Sequence, residues 1–201
     1  AWTDLPGGVP DADDTAGALL ALRNLGELEE RTRAAAIAGV TWLLDLQNRD
    51  GGVPTFCRGW GALPFDRSGA DLTAHALRAW LAWLDDVPLG LQRRIRRGLS
   101  RGLAYLMNVQ RTDGSWIPLW FGNQFGSEDE NPTYGTARVL VALCELASRG
   151  FLEERDVVEK AAQWLLNAQR ADGSWGGFPD SPPSIEESAL ALEALAGLAS
   201  V

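Results

Sequence analysis

The sequence is poor in several residue types, and each shortage excludes a class of protein. Two cysteines among 201 residues cannot form a disulfide framework, so we expect a reducing compartment. No apolar run approaches the length of a membrane span, and no signal peptide is visible. The net charge of −9 argues against general binding to nucleic acid. The basic residues are almost all arginine, because Lys160 is the only lysine.

The remaining composition is that of an ordinary folded domain with an unusual aromatic content. The chain is 46% hydrophobic and 22% charged, and its length suffices for one domain with a sizeable core. Nine tryptophans are many for this length and need an explanation. The chain begins at Ala1 and its only methionine is Met107, so we expect a fragment or a processed product.

Three carboxylates lie within four residues near the N-terminal end, in the stretch Pro10-Asp11-Ala12-Asp13-Asp14-Thr15-Ala16. An apolar run follows directly and predicts a helix that begins at these acids. One aspartate suffices to cap a helix start. Three crowded carboxylates cannot all ionise cheaply, and a group that must deliver a proton benefits from such crowding. The simpler alternative is a solvated helix end with more acids than a cap requires.

A repeat runs along the chain. Residues 101–116 and 160–175 match position for position, with a basic residue, an aromatic, Leu, Gln, Asp-Gly and Trp at the same offsets, and residues 42–53 are a weaker copy. The glutamines Gln47, Gln110 and Gln169 are about 60 residues apart, a period typical of stacked supersecondary units. Each copy predicts an amphipathic helix that ends at the Asp-Gly turn. We expect each Gln side chain to hold backbone of the neighbouring unit, with the Trp covering it.

A second type of helix is predicted between these copies. Its predicted starts are Asp14-Thr15-Ala16, Leu72-Thr73-Ala74, Gly135-Thr136-Ala137 and Glu187-Ser188-Ala189. These runs are more uniformly apolar, which indicates burial on more than one side. Alternation of the two types gives seven helices. The predicted fold class is therefore all-α, an α/α toroid (a partial α6–α6 barrel) with about four inner helices of the second type and three outer helices of the first.

In such a toroid the N-termini of the inner helices share one mouth. That mouth would gather acidic residues, one tyrosine and the only histidine of the chain: Asp11, Asp13, Asp14, Asp71, His75, Tyr134, Glu186 and Glu187. Asp71 and His75 are four residues apart and share a helix face. A lone histidine is more often structural, but one that lies a turn from an aspartate at a carboxylate-rich mouth is a candidate for catalysis. For Glu187 the simpler interpretation is a capping box with Ser184.

These motifs resemble those of a known family. The Gln…Asp-Gly-x-Trp copies resemble the QW repeats of squalene–hopene and oxidosqualene cyclases. Residues 11–16 are similar to the Asp-x-Asp-Asp-Thr-Ala signature of the bacterial squalene–hopene cyclases, and residues 71–75 resemble their Asp-Val-Thr-Ala-His segment. The segment from Asp113 to Trp120, followed by Tyr134-Gly135-Thr136, resembles a further segment that lines their cavity.

The resemblance implies that residues 1–201 are part of the catalytic α/α barrel of a class II terpene cyclase. Such an enzyme protonates a terminal alkene of squalene and starts a polycyclising carbocation cascade, without a metal or another cofactor. The resemblance also implies a role for each matching residue: Asp13 is the proton donor, Asp11 and Asp14 support it, His75 donates a hydrogen bond to Asp13, Asp71 orients His75, Tyr134 joins the acid network, and Trp120 and Trp2 are aromatic positions near the substrate.

Three other interpretations stay open. A cyclase of a shorter prenyl diphosphate shares the acid signature and the helical barrel. A protein prenyltransferase subunit shares the toroid but requires zinc, for which Cys57, Asp71 and His75 are poorly spaced. A non-catalytic toroid could bind a lipid or a partner. Residues 52–65 and 126–130 depart from the bacterial pattern, which indicates a divergent subgroup and leaves the substrate and the product open.

The resemblance also implies a location at the cytoplasmic side of a bacterial-type membrane, because squalene resides in the bilayer. A basic cluster at the start of one outer helix, Arg93, Arg94, Arg96 and Arg97, could contact anionic head groups peripherally. A solvated helix face is the simpler interpretation of that cluster, and we prefer it. A homodimer is a further expectation.

Overall fold

The computed structural model describes residues 8–25, 29–56, 59, 64–126 and 128–200. Seven α-helices of two alternating types lie within these ranges, which confirms the predicted number and order. The inner-type helices are α1 (Ala12–Asn24), α3 (Ala70–Trp83), α5 (Pro132–Ser148) and α7 (Ile185–Gly197). The outer-type helices are α2 (Glu30–Leu46), α4 (Leu89–Val109) and α6 (Asp156–Ala168). No helix in these ranges combines the length and the apolar character that crossing a membrane requires.

The chain divides into two compact units, Ala1–Tyr105 and Leu106–Val201. In the first unit the inner-type helices α1 and α3 pack along each other, and α2 packs against both. In the second unit α5 packs along α7, and α6 packs against both. Each unit therefore places the N-terminal segments of two inner-type helices in one compact body, and the candidate site residues lie in these segments.

Burial differs among the inner-type helices. Helices α3 and α5 are buried over most of their surface, as predicted. Helices α1 and α7 bury one face only, and Leu192 on α7 is 58% exposed. The prediction of burial on several sides is therefore wrong for α1 and α7. Helix α3 is more buried than α1 because it has one more neighbour. Helix α4 also packs against α3, with Gly98 and Gly102 lying against Trp80 and Leu77.

The glutamines of the repeat tie consecutive outer-type helices together. The Nε2 group of Gln47 donates to the carbonyl oxygens of Gly51, at 2.8 Å, and of Gly98 on α4, at 3.0 Å. Gln110 makes the same pair of bonds, at 3.0 Å each, to its own turn and to Val157 at the start of α6. The structure therefore has the predicted clasp in both copies. Gln169, in the last copy, binds only its own turn within the described residues.

The tryptophans at the ends of the second and third copies each bind the helix of their own copy. The indole Nε1 of Trp116 donates to the carbonyl of Leu106 at 2.9 Å, and that of Trp175 donates to Leu165 at 2.8 Å. Both rings are fully buried. The turn before Trp116 requires glycine, because Gly114 has φ of 95° and a Cβ there would lie 2.5 Å from the carbonyl oxygen of Lys160.

The hydroxyl residues at the starts of the inner-type helices hold the preceding turns. Thr73 accepts the N–H of Val53 at 2.9 Å, and Thr136 accepts the N–H of Trp116 at 3.1 Å. Ser188 accepts the N–H of Trp175 at 3.0 Å. These helices start two or three residues earlier than the sequence predicted, so the hydroxyl residues lie within the first two turns. Each repeat turn is therefore fixed to the inner-type helix that follows it.

Two short antiparallel strand pairs close the connections beside these turns. In the first unit β1 (Val53–Pro54) pairs with β2 (Ser68–Gly69), directly before α3. In the second unit β3 (Trp175–Gly176) pairs with β4 (Pro183–Ser184), directly before α7. The sequence pattern did not indicate these pairs, because two-residue strands carry no alternation of polar and apolar residues. Each pair leads the chain from a repeat turn into an inner-type helix.

Candidate active site

Asp11 is the N-cap of α1. One of its carboxylate oxygens accepts the backbone N–H groups of Asp13, at 2.7 Å, and of Asp14, at 3.0 Å. The cap is anchored from outside as well, because the N–H of Ala12 donates to the carbonyl of Thr55 at 2.8 Å. Burial raises the pKa of the Asp11 carboxyl, the two backbone N–H bonds oppose this rise, and the nearby charges of Asp14 and Asp13 add to it. Asp11 therefore does the work of the helix cap.

Asp13 pairs with the only histidine of the chain. Its Oδ1 lies 2.5 Å from Nδ1 of His75, which is a short contact, and the packing of α1 along α3 brings the two residues together. The His75 side chain is 11% exposed and that of Asp13 is 35% exposed. Either the imidazole N–H donates to the carboxylate or the carboxyl O–H donates to the imidazole. The pair can thus hold one proton between two atoms and release it from Asp13.

Asp71 lies one turn before His75 in the first turn of α3 and is buried. Its surroundings include the phenol of Tyr105, whose pKa is raised by burial first and then by the charges of Asp50 and Asp71. The Tyr105 hydroxyl donates to the carbonyl of Ser68 at 2.9 Å, beside the start of α3. The role of Asp71 in orienting His75 stays a prediction.

Asp14 takes a different position from its two neighbours in the sequence. It is exposed and lines a groove of about 210 Å³ between α1 and α2, together with Ala18, Leu22 and Ala35. The fold therefore separates the three carboxylates into a cap, a histidine partner and an exposed group. The supporting role of Asp14 stays a prediction.

Sequence reasoning missed two features beside the acid. A Cβ at Gly17, one turn after Asp13, would lie 3.6 Å from Cε1 of His75, so the imidazole ring lies against bare helix backbone. Phe56 forms an isolated antiparallel bridge with Asp11, and its ring lies 5.2 Å from that of Phe65 at a tilt of 56°. A glycine inside the apolar helix run was the available signal for the first feature. The second depends on a connection without a regular pattern.

The remaining predicted residues belong to the second unit or lie outside the described residues. Tyr134, in the first turn of α5, is 8% exposed, and its ring stacks on Phe121 with centroids 4.7 Å apart and planes at 23°. Trp120, adjacent to Phe121, is 39% exposed. Trp2 lies outside the described residues. Because Tyr134 is in the second unit and Asp13 is in the first, the membership of Tyr134 in the acid network stays a prediction.

Glu187 forms only half of the predicted capping box. The hydroxyl of Ser184 accepts the N–H of Glu187 at 3.1 Å, as a cap should. The Glu187 carboxylate accepts from Nδ2 of Asn131 on the other inner-type helix, at 3.0 Å, and it is buried. Glu186, next to it, is exposed. Asn131 is therefore a candidate residue that sequence reasoning missed, and its only local signal was its place directly before Pro132.

The two remaining sequence hypotheses concern metal and membrane. Among the described residues no group of three or more His, Cys, Asp and Glu side chains could hold a metal ion, and Cys57 of the zinc hypothesis lies outside them. In the basic cluster of α4, Arg94 pairs with Asp45 at 2.5 Å and Arg93 is exposed, which fits a solvated helix face. Peripheral membrane contact and a homodimer stay predictions.

Comparison with known proteins identifies the family of this chain. The family model described as the squalene-hopene cyclase C-terminal domain matches residues 7–192. A probable squalene–hopene cyclase of Sinorhizobium fredii is 31% identical over 206 residues, which cover 91% of this chain and 30% of that protein. A copalyl diphosphate synthase of Streptomyces cyslabdanicus is 31% identical over 191 residues, which cover 94% of this chain and 30% of that protein. The chain thus spans about a third of the length of these relatives.

Solved structures give the fold alone. A possible member of the GH105 family from Salmonella enterica superposes with a TM-score of 0.71 at 17% identity, over 94% of this chain and 56% of that one. A glycosyl hydrolase of family 88 from Bacteroides vulgatus gives a TM-score of 0.69 at 15% identity, over 94% and 62%. These are helical toroids, and the likeness confirms the predicted fold class, an all-α α/α toroid.

Proposed function

Because the chain belongs to the squalene–hopene cyclase family, to whose C-terminal domain it corresponds, we propose that it is part of a class II terpene cyclase. In this proposal the complete protein protonates a terminal alkene of an isoprenoid and so begins a cyclising carbocation cascade. The observation that carries the proposal is the contact of 2.5 Å between Asp13 and His75 at the start of α1.

The geometry around Asp13 suits an acid that must protonate carbon. In the step proposed, the O–H bond of Asp13 and the π bond of the terminal alkene break. A C–H bond forms at the less substituted carbon of that alkene, and the positive charge is left on the more substituted carbon. The carboxylate left behind accepts a hydrogen bond from His75, and it lies in the first turn of α1, where backbone dipoles favour negative charge. Both effects lower the free energy of the conjugate base and so strengthen the acid.

Asp11 supports this step by holding the backbone under Asp13. Its carboxylate binds the N–H groups of residues 13 and 14 and its backbone bridges to Phe56, and these bonds stabilise the first turn of α1. A rigid first turn keeps Asp13 within reach of His75.

Aromatic side chains supply the second requirement, which is to stabilise carbocations without trapping them. A ring face attracts a cation by about 2 kcal/mol or more when water is excluded, and it offers no nucleophile. The candidates in the first unit are Phe56, whose backbone bridges to that of Asp11, and Phe65, whose ring packs on that of Phe56; in the second unit they are Trp120 and the Phe121–Tyr134 stack. Trp2 has the same proposed role.

The preferred substrate in this proposal is squalene, and a shorter prenyl diphosphate is the second candidate. One observation supports this second candidate. A drimenyl diphosphate synthase of Streptomyces showdoensis is 32% identical over 190 residues, which is as similar to this chain as the squalene–hopene cyclase relative is. The acid chemistry proposed for Asp13 is the same for both substrates.

The test is an assay of the complete protein with squalene, farnesyl diphosphate or geranylgeranyl diphosphate, analysed by mass spectrometry. The wild type should cyclise one of them, Asp13→Asn should give less than about a hundredth of that product, and the matched control Asp180→Asn, at an exposed aspartate, should match the wild type. Equal product from Asp13→Asn would refute the assignment of the acid. No cyclic product from any substrate would favour the non-catalytic toroid.

A further inference from the structure

A buried polar contact joins the two inner-type helices of the second unit. Asn131, the N-cap of α5, is 4% exposed, and Glu187 in the first turn of α7 is 6% exposed. The Nδ2 group of Asn131 donates to Oε1 of Glu187 at 3.0 Å. Buried polar groups cost free energy unless they are hydrogen-bonded, and a buried carboxylate costs more than an amide. The burial of the Glu187 carboxylate against Asn131 therefore needs an explanation other than helix capping.

Capping of α7 does not provide that reason. Ser184 already caps this helix by accepting the N–H of Glu187 at 3.1 Å. The exposed Glu186 supplies a negative charge to the same first turn at little desolvation cost. The Glu187 carboxylate is thus not needed by its own helix, and it is turned toward α5 instead.

The contact fixes the orientation of the Asn131 amide. A carboxylate only accepts hydrogen bonds, so Glu187 selects the rotamer of Asn131 in which the NH₂ group faces it. In that rotamer Oδ1 of Asn131 accepts the backbone N–H of Tyr134, at 3.0 Å. One amide therefore transmits the position of Glu187 to the backbone of Tyr134.

The residues on either side of Tyr134 also restrict its backbone. The neighbouring N–H of Thr133 donates to the carbonyl of Gly177 at 3.1 Å, and a Cβ at Gly135 would lie 2.4 Å from the carbonyl oxygen of Trp116. The Tyr134 ring stacks on Phe121, which is 40% exposed. Small changes in the backbone at residue 134 therefore move a stacked pair of rings.

We propose that Glu187 is a positioning residue, which acts through Asn131 to fix Tyr134 and the Phe121 ring stacked on it. This inference rests on the proposed function, in which aromatic rings, including the Phe121–Tyr134 stack, stabilise the cation. Glu187 itself does not touch the substrate in this scheme. Its contribution is the alignment of α5, so an amide oxygen at the same place should replace it.

The first test compares three variants of the complete protein with whichever isoprenoid the wild type cyclises. Glu187→Gln keeps an oxygen that accepts from Asn131, so its kcat should stay within about twofold of the wild type. Glu187→Leu removes the acceptor, so kcat should fall about tenfold with little change in KM, since misplacement of a reacting group costs rate more than binding. Glu193→Leu, an exposed position on the same helix, should match the wild type.

The second test separates positioning from stability. In a Tyr134→Ala background, which lacks the ring that stacks on Phe121, Glu187→Leu should lower kcat no further, while its loss of thermal stability should be the same in both backgrounds. If Glu187→Leu does not fold, Asn131→Asp replaces it, because Asp keeps the acceptor for the Tyr134 N–H and loses the donor to Glu187.

Each contrary result has one meaning. An unchanged kcat in Glu187→Leu, a Glu187→Gln as slow as Glu187→Leu, or additive effects in the Tyr134→Ala background would overturn the positioning role while leaving the proposed function intact. A wild type that cyclises no isoprenoid would overturn the proposed function, and the positioning role with it.

Discussion

Two threonines in one helix offer a matched test of how the repeat turns are held. Thr133 and Thr136 both lie in the first turns of α5, and both are fully buried. The Thr136 hydroxyl accepts the buried N–H of Trp116 at 3.1 Å. The Thr133 hydroxyl has no hydrogen-bond partner among the described residues. Valine has nearly the shape of threonine and a similar helix propensity, so substitution removes the hydroxyl and little else.

The two substitutions should have opposite signs. Thr136→Val leaves the Trp116 N–H buried without an acceptor, and it should lower the free energy of unfolding by about 1–3 kcal/mol. Thr133→Val removes a buried hydroxyl that has no partner in the described part of the chain, and it should leave stability unchanged or raise it by about 1 kcal/mol. The difference between the two variants should therefore exceed about 1 kcal/mol.

Urea unfolding of the full chain, followed by tryptophan fluorescence, measures this difference. Trp116 is fully buried and reports directly on the turn in question. Similar m-values in the wild type and both variants would show that the midpoints can be compared. Equal destabilisation by Thr133→Val and Thr136→Val would refute the reasoning, because it would show that shape rather than hydrogen bonding matters at these positions. A neutral Thr136→Val would refute it as well.

Three further predictions concern other parts of the framework. Gly135→Ala should destabilise the chain by about 2 kcal/mol or more in urea, because its Cβ would meet backbone, whereas Gly90→Ala on α4 meets open space and should be neutral or stabilising. Gln47→Ala removes two buried hydrogen bonds and should lower the free energy of unfolding by about 2 kcal/mol. Gln169→Ala removes one exposed hydrogen bond and should lower it several times less. Equal losses in the two variants would contradict the role of the clasp. Burial raises the pKa of the Asp11 carboxyl in the folded state. The contribution of Asp11 to the free energy of unfolding should therefore decline as pH rises from about 4 through the raised pKa of the folded state. Asp11→Asn can still cap the helix and should abolish this decline, measured by urea unfolding at pH 3–7.

The architecture of this chain could be predicted because its information is local and repeated. The alternation of two helix types, the Asp-Gly turns and the glutamine clasps follow from patterns within each copy. The start of α1 at the acids is equally local, because a cap and the helix that it caps are adjacent in sequence. The different burial of α1 and α3 could not be predicted, since it depends on which helices pack beside each of them.

The candidate site shows where local reasoning ends. Ser184 and Glu187 form a pattern that predicts a capping box, and Ser184 behaves accordingly. The carboxylate of Glu187 instead binds Asn131, which is 56 residues away in the sequence. The donors that compete for this carboxylate, the side-chain amide of Asn131 and a backbone N–H at the start of α7, are both neutral, so local chemistry does not decide between them. The packing of α5 on α7 therefore determines the hydrogen-bond partner of the Glu187 side chain, and a local sequence pattern does not predict that packing.

The three aspartates at the start of α1 combine both kinds of information. Their composition alone does not distinguish a proton donor from an excess of caps, because all three are identical in type and adjacent in sequence. The fold distinguishes them by their partners. Asp11 is occupied by two backbone N–H groups, and these bonds would be weakened if it were protonated. Asp13 contacts His75, a partner that can take or give a proton, so we assign the chemistry proposed for this helix end to Asp13. The cap beside it helps to keep that carboxyl within reach of His75.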